Sequence, residues 1–154
     1  MKNRTFAMIK PDAVACHYTG QIITLIEKAG FRIIAQKMLR LTTSDTNKFY
    51  AVHSQRPFFR NLSLFMTSGP VVVMVLEKEN AIAEFRTLIG NTDPQAAPTG
   101  SIRKIFGQSK TRNAIHGSEA TKMHSEKFIF SSAKGKSYRN LTVFLSLKQK
   151  STVE

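Results

Sequence analysis

The chain has 154 residues, 42% of them hydrophobic and eleven of them Phe, which is the size and composition of one domain with a single core. A formal charge of +13 directs attention to polyanionic partners: nucleotides, nucleic acids or acidic surfaces. The longest strongly apolar run, Val71 to Leu76, falls far short of the about 20 residues that span a bilayer, so no membrane partner is expected. No signal peptide is expected either, because Lys10-Pro11-Asp12 interrupts the early apolar stretch. The lone cysteine, Cys16, excludes an internal disulfide and a Cys-based zinc cluster, and reads as a reduced thiol of a cytoplasmic protein.

Taken in chain order, Arg4 to Lys10 predicts a first strand that Pro11-Asp12 ends. Thr19 to Ala29 predicts a helix with Ile22, Ile23, Ile26 and Ala29 on one face and Gly30 as its stop. Phe31 to Leu41 predicts a second strand, and Asp45 to His53 a helix with Ser44 as N-cap. Arg56-Pro57 breaks that helix, and Phe59, Leu62, Phe65 and Met66 mark another short one. Gly69-Pro70 turns the chain into a buried strand, Val71 to Glu77. Asn80 is placed to cap the next helix, which Gly90 ends. Pro94, Pro98, Gly100 and Gly107 then punctuate a long irregular excursion up to His116, and long loops inside compact domains are usually functional. Ser118 is placed to cap a short helix, with Lys127 to Phe130 as the last strand. The predicted fold is α/β: an α+β sandwich of the ferredoxin-like plan, a four-stranded antiparallel sheet with helices on its faces and a long functional loop. From Lys134 onward the sequence is a basic tail whose one acid is Glu154.

The chemistry centres on Ile115-His116-Gly117-Ser118. Imidazole attacks phosphorus while neutral, so His116 is a candidate nucleophile. A phosphoryl-transfer site needs in-line positioning and positive donors. Lys10 at the end of the first strand, Arg86 on a helix and Arg103 in the long loop are candidates, with Thr92 and Asn113 as neutral donors. Phe58 and Tyr50 offer aromatic faces, and a base stacked on such a face gains about 1–3 kcal/mol. A phosphate-binding P-loop and a dinucleotide fingerprint are absent, as is any Asp/Glu/His cluster with metal-ligand spacing.

From Arg4 to Phe130 the chain resembles the nucleoside diphosphate kinase family. The motifs are Arg4-Thr5-Phe6-Ala7-Met8-Ile9-Lys10-Pro11-Asp12, Arg56-Pro57-Phe58-Phe59, Met66-Thr67-Ser68-Gly69-Pro70-Val71, Gly90-Asn91-Thr92-Asp93-Pro94, Gly100-Ser101-Ile102-Arg103 and Asn113-Ala114-Ile115-His116-Gly117-Ser118. The resemblance implies a domain over residues 1–133 followed by the tail, 134–154. It implies a homo-oligomer, hexamer or tetramer, that moves the γ-phosphate of a nucleoside triphosphate such as ATP to a nucleoside diphosphate through a phosphohistidine, in ping-pong order. By motif, His116 would carry the phosphate. Lys10, Thr92, Arg103 and Asn113 would hold phosphates and sugar, with Arg86 near the β-phosphate. Phe58 would stack on the base beside Leu62, and Tyr50, Ser118 and Glu126 would support the site. Mg²⁺ would ride on the nucleotide phosphates rather than on protein ligands.

The sequence departs from the family at several places. Ser118-Glu119 replaces the usual Ser-Asp, and Lys110 stands where an apolar residue commonly faces the base. Lys127 occupies the position of the family's supporting glutamate, with Glu126 one residue early; either a shortened helix lets Glu126 serve, or that support is lost. The basic tail is unfamiliar and leaves room for nucleic-acid contact. Two other readings compete: a basic nucleic-acid-binding module on a ferredoxin-like fold, and a catalytically weakened oligomeric scaffold.

Overall fold

Alternating and continuous apolar runs assemble a four-stranded sheet in the order β2-β3-β1-β4, every neighbouring pair antiparallel. The structure is a computed structural model that describes residues 2–51 and 54–118. Its strands are β1 (Lys2–Ile9), β2 (Arg32–Arg40), β3 (Pro70–Glu79) and β4 (Ile115–Gly117). Its helices are α1 (Pro11–Ala15), α2 (Thr19–Lys28), α3 (Thr43–Phe49), α4 (Phe59–Thr67), α5 (Ala81–Ile89) and α6 (Ile102–Phe106). The expected ferredoxin-like sandwich is therefore present.

Side chains of β1 and β3 divide by parity between two cores. Ala7, Ile9, Val72, Met74 and Leu76 pack with Ile22 and Ile26 of α2 and Phe85 and Ile89 of α5. Phe6, Met8, Val71 and Val73 pack with Tyr50 and with Phe65 and Met66 of α4. Helices thus cover both faces of the central strands, which is why Val71 to Leu76 is apolar at every position. No face of β1 is left open for a polynucleotide, unlike an RNA-recognition sheet.

Several boundaries differ from expectation for local reasons. Pro11 does not merely end β1; it opens α1, with Asp12 in the first turn, because proline at the first helical position has no N–H to lose. The helix expected from Asp45 starts earlier, and its cap is Thr42, not Ser44. The Thr42 hydroxyl accepts from Asp45 N at 3.1 Å while the Asp45 carboxylate accepts from Thr42 N at 2.8 Å. Asn80 occupies the N-cap position of α5 in a left-handed conformation, φ 50°, with no capping bond from its side chain. Asn3 of β1 supplies that cap instead, accepting from Ala81 N at 2.6 Å. The long excursion contains α6 and ends in β4, a strand too short to show a period. The expected helix after Ser118, the strand from Lys127 and the tail lie outside the described residues.

One row of charges crosses the sheet. Glu77 on β3 lies opposite Arg4 of β1 and Arg32 of β2, and accepts from both, at 3.2 and 2.6 Å. The Arg32 bond first, and the Arg4 bond after it, hold the Glu77 carboxyl below its usual 4.5 against the opposing effect of burial. A lowered folded value means the contribution is complete above 4.5 and disappears as pH falls through the folded value. Glu77→Gln should therefore lower Tm at about pH 7, and the gap to the native protein should shrink by about pH 3. Thermal melts at the two pH values check this; a gap that stays constant would assign the loss to packing instead.

Candidate active site

β4 presents three consecutive residues in three different roles. Ile115 pairs with Ile9 and is fully buried in the first core. Gly117 pairs with Ala7 on the same face, where a Cβ would meet the Phe85 ring at 2.8 Å and Ile89 at 3.0 Å. His116, opposite Met8, points to the other face and is half-buried. There its imidazole meets ring edges of Phe49 (5.0 Å between centroids, 70°), Phe6 (6.4 Å, 62°) and Tyr50 (6.4 Å, 84°). Edge contacts from three sides limit how the ring can turn.

The long loop is drawn onto the sheet by its own polar side chains. Arg103, buried on α6, donates from Nε and a terminal nitrogen to the carbonyl of Ile115, at 3.2 and 3.0 Å. Its other terminal nitrogen donates to the carbonyl of Gly90 at 3.0 Å. Gly90 stands at φ 81°, and a Cβ there would collide with the Ser101 hydroxyl, so glycine is required on both counts. Asn113 donates from Nδ2 to the carbonyls of Thr92 and Lys110, each at 3.0 Å, and accepts from Lys10 Nζ at 2.6 Å. Lys10 Nζ also donates to the carbonyl of Thr111 at 3.3 Å.

Charge is concentrated here. Burial, and then the Arg103 charge, push the Lys10 ammonium down to about 8, with Asp12 opposing. Burial, and then Arg86, push Arg103 down to about 10, with Tyr50 opposing. Both remain cationic at neutral pH although neither is well solvated, and an arriving polyanion relieves that repulsion.

The sequence-derived candidates fall into groups. Lys10, Thr92, Arg103, Asn113, His116 and Tyr50 converge around the end of β1, and Arg86 joins them through its charge on Arg103. Lys10 and Asn113, expected to face phosphate and sugar, have their polar atoms engaged with each other and with loop carbonyls. Ser118 is buried, its N–H bonded to the Phe6 carbonyl at 3.1 Å. Phe58, 51% exposed, stands at the N-terminus of α4, one turn before half-buried Leu62, which packs on the second core. Lys110 reaches Asp93 at 3.7 Å, both near the surface, so its ammonium leans toward the loop. Glu126 lies outside the described residues. The sequence reading missed Asp12 and Phe49. Asp12 accepts from Ala114 N at 3.0 Å, and its position after Lys10-Pro11 was the available signal. Phe49 had none, since an aromatic near the end of a helix reads as core.

Among the described residues, no group of three or more His, Cys, Asp or Glu side chains is placed to hold a metal ion, and no helix is long and apolar enough to cross a membrane. A nucleoside diphosphate kinase family model matches residues 3–134. The nucleoside diphosphate kinase of Prosthecochloris aestuarii is 55% identical over 117 residues, 76% of this chain and 83% of that protein. That of Bradyrhizobium diazoefficiens is 56% identical over 117 residues, 76% of this chain and 84% of its own. Among solved structures, the Aquifex aeolicus nucleoside diphosphate kinase superposes with a TM-score of 0.80 at 41% identity, covering 87% of this chain and 97% of that one. A Halobacterium salinarum nucleoside diphosphate kinase, solved in complex with CDP, gives 0.79 at 34% identity, covering 94% and 99%. The chain belongs to the nucleoside diphosphate kinase family, and so to the phosphotransferases that act on nucleotides.

The crowding at Gly117 yields a direct test. Gly117→Ala inserts a methyl against Phe85, and overpacking of this kind costs about 1–3 kcal/mol. Urea denaturation should show that loss, and transfer activity should fall with it as β4 shifts. A variant as stable and active as the native protein would mean Phe85 yields without moving the strand.

Proposed function

We propose that His116 is the phosphate carrier of a ping-pong exchange between nucleoside tri- and diphosphates. The observation that carries the reading is the mounting of His116: a half-buried imidazole walled by aromatic edges, one residue beyond a carbonyl held by Arg103. In the first half-reaction an imidazole nitrogen attacks the γ-phosphorus. The bond from that phosphorus to the bridging oxygen breaks, and the diphosphate leaves with the electron pair. In the second, a terminal oxygen of the acceptor diphosphate attacks phosphorus, the N–P bond breaks and its pair returns to the ring. A covalent carrier lets donor and acceptor use one pocket in turn.

Arg103, Lys10 and exposed Arg86 would offset charge on the moving phosphoryl group, a role that burial strengthens for Arg103 and Lys10. Thr92 and Asn113 would border the sugar and phosphates. Exposed Phe58, with Leu62 beside it, would give the base a face rather than a hydrogen-bonding edge, which tolerates any common base. The Halobacterium relative's complex with CDP supports a nucleotide ligand. The cations Lys10, Arg86 and Arg103 around the site fit Mg²⁺ carried by the nucleotide phosphates rather than by the chain. There Mg²⁺ would neutralise phosphate oxygens. The setting would be the cytoplasm, where exposed Cys16 stays reduced.

Brief incubation with γ-labelled ATP and Mg²⁺ tests the carrier. Native protein should take up acid-labile label and release it on addition of a diphosphate, while His116→Ala takes up none yet still binds ADP. Intersecting rather than parallel initial-rate lines would reject the ping-pong order. Glu126 would orient the second imidazole nitrogen, so Glu126→Ala should slow labelling by about 10–100-fold and Lys127→Ala far less. Unchanged labelling in Glu126→Ala would remove Glu126 from the site.

We also propose a homo-oligomer, hexamer or tetramer. Among the described residues β2 is an edge of the sheet, and Met38 on it is 58% exposed, a surface suited to burial against another copy. Light scattering of the purified chain should give that mass, and a monomer at micromolar concentration would overturn it.

A further inference from the structure

Two residues before His116 the backbone takes a conformation that alanine rarely adopts. Ala114 stands at φ 71° and is fully buried. The N–H of Ile115 bonds across it to the carbonyl of Asn113 at 2.8 Å, closing a γ-turn of the left-handed, strained sense. Such a turn persists where surrounding bonds over-determine it, and here those bonds come from one place. The Ala114 carbonyl accepts from Lys10 N at 2.9 Å, and the Ala114 N–H donates to the Asp12 carboxylate at 3.0 Å. Lys10 and Asp12 flank Pro11, whose ring fixes φ, so the clamp is itself rigid.

The clamp has an unusual composition. Asp12 is buried, and its other carboxylate oxygen has no hydrogen-bond partner among the described residues. A buried carboxylate oxygen without a partner is unfavourable, and the turn has a simpler solution, since glycine adopts positive φ unaided. The chain nevertheless places alanine at 114 and a carboxylate against it. Glycine would permit the turn; alanine held by Asp12 enforces it.

We propose that Asp12 is a positioning residue of phosphoryl transfer: its carboxylate holds the γ-turn at Ala114 and thereby sets the height of β4, and of His116, against the end of β1. The proposal rests on His116 being the carrier. Asp12 touches no substrate in this role. It acts through Ala114 and Ile115, and the carbonyl of Ile115 is the one that Arg103 grips. Loss of the clamp frees the turn, and the imidazole and the guanidinium lose their common reference together.

The test follows single-turnover uptake of label from γ-labelled ATP in the full chain by rapid quench, with ADP affinity measured separately by calorimetry. Asp12→Ala should slow uptake by about 10–100-fold while ADP affinity stays within about threefold. Asp12→Asn keeps an oxygen for the Ala114 N–H and should recover most of the rate. Adding Ala114→Gly to Asp12→Ala should also recover much of it, because glycine holds φ 71° without help. Native uptake in Asp12→Ala, or a double variant no faster than Asp12→Ala, overturns the proposal. So does Asp12→Asn as slow as Asp12→Ala, which would assign the effect to charge beside Lys10. If Asp12→Ala fails to fold, restoration of folding and uptake by Ala114→Gly supports the clamp, and no restoration overturns it. His116→Ala, run in parallel, separates the two ideas: label retained there rejects the carrier assignment, whereas the dependence of the turn on Asp12 is read from the rescue by Ala114→Gly.

Discussion

The bonds that join Lys10-Pro11-Asp12 to Asn113-Ala114 are the constraint on which the site depends. They close separations of 103 residues between Lys10 and Asn113 and 102 between Asp12 and Ala114. Side chain and backbone both take part, so the end of β1 and the end of the long loop meet in one register only. Everything the loop carries is referred to this seam. Arg103 reaches across to Ile115 and Gly90, and Asn113 gathers the carbonyls of Thr92 and Lys110. A loop of this length, tied by buried bonds at several points, behaves as part of the scaffold rather than as a lid.

The same seam concentrates positive charge where water is scarce. Lys10 and Arg103 are both displaced downward from their ordinary values, chiefly by burial, and each carries a further displacement from a neighbouring cation. That arrangement is unfavourable without an anion. Among the described residues most of the other Lys and Arg side chains face solvent, and their charge says little about where a nucleotide would sit. The informative charges are the few that the fold has buried and left close together.

Long periodic elements were legible in the sequence. The apolar run of β3 and the Ile22–Ile26 stripe of α2 follow directly from which faces are covered. Elements fixed by single bonds were not legible. The cap of α5 comes from Asn3, 78 residues away, and no local pattern announces it. The capping box of α3 was missed by two residues, because Thr42, Thr43 and Ser44 are equivalent by composition and only the reciprocal bond to Asp45 chooses among them. β4 escaped because three residues cannot display a period. The site was legible as a set of residue types in motifs, and most of them converge. What the sequence concealed is division of labour: Lys10 and Asn113 hold each other, and Asp12 holds the backbone.

Placing the histidine on a short strand that, among the described residues, ends the sheet reconciles two demands that oppose each other. A carrier of phosphate must be reachable, which favours a loop, yet transfer needs its ring fixed to within fractions of an ångström, which favours the core. β4 meets both through alternation. Ile115 and Gly117 face the first core, where Ile115 is fully buried and Gly117 is crowded by Phe85, and they leave the strand no freedom to slide. His116 between them faces the opposite side, half-buried against Phe49, Phe6 and Tyr50. A one-residue slip would bury the imidazole and expose Ile115, so register along β1 alone decides whether the ring can meet a substrate. The anchored strand gives precision, its edge position gives access, and the turn at Ala114 brings the chain into β4 at the one height that serves both.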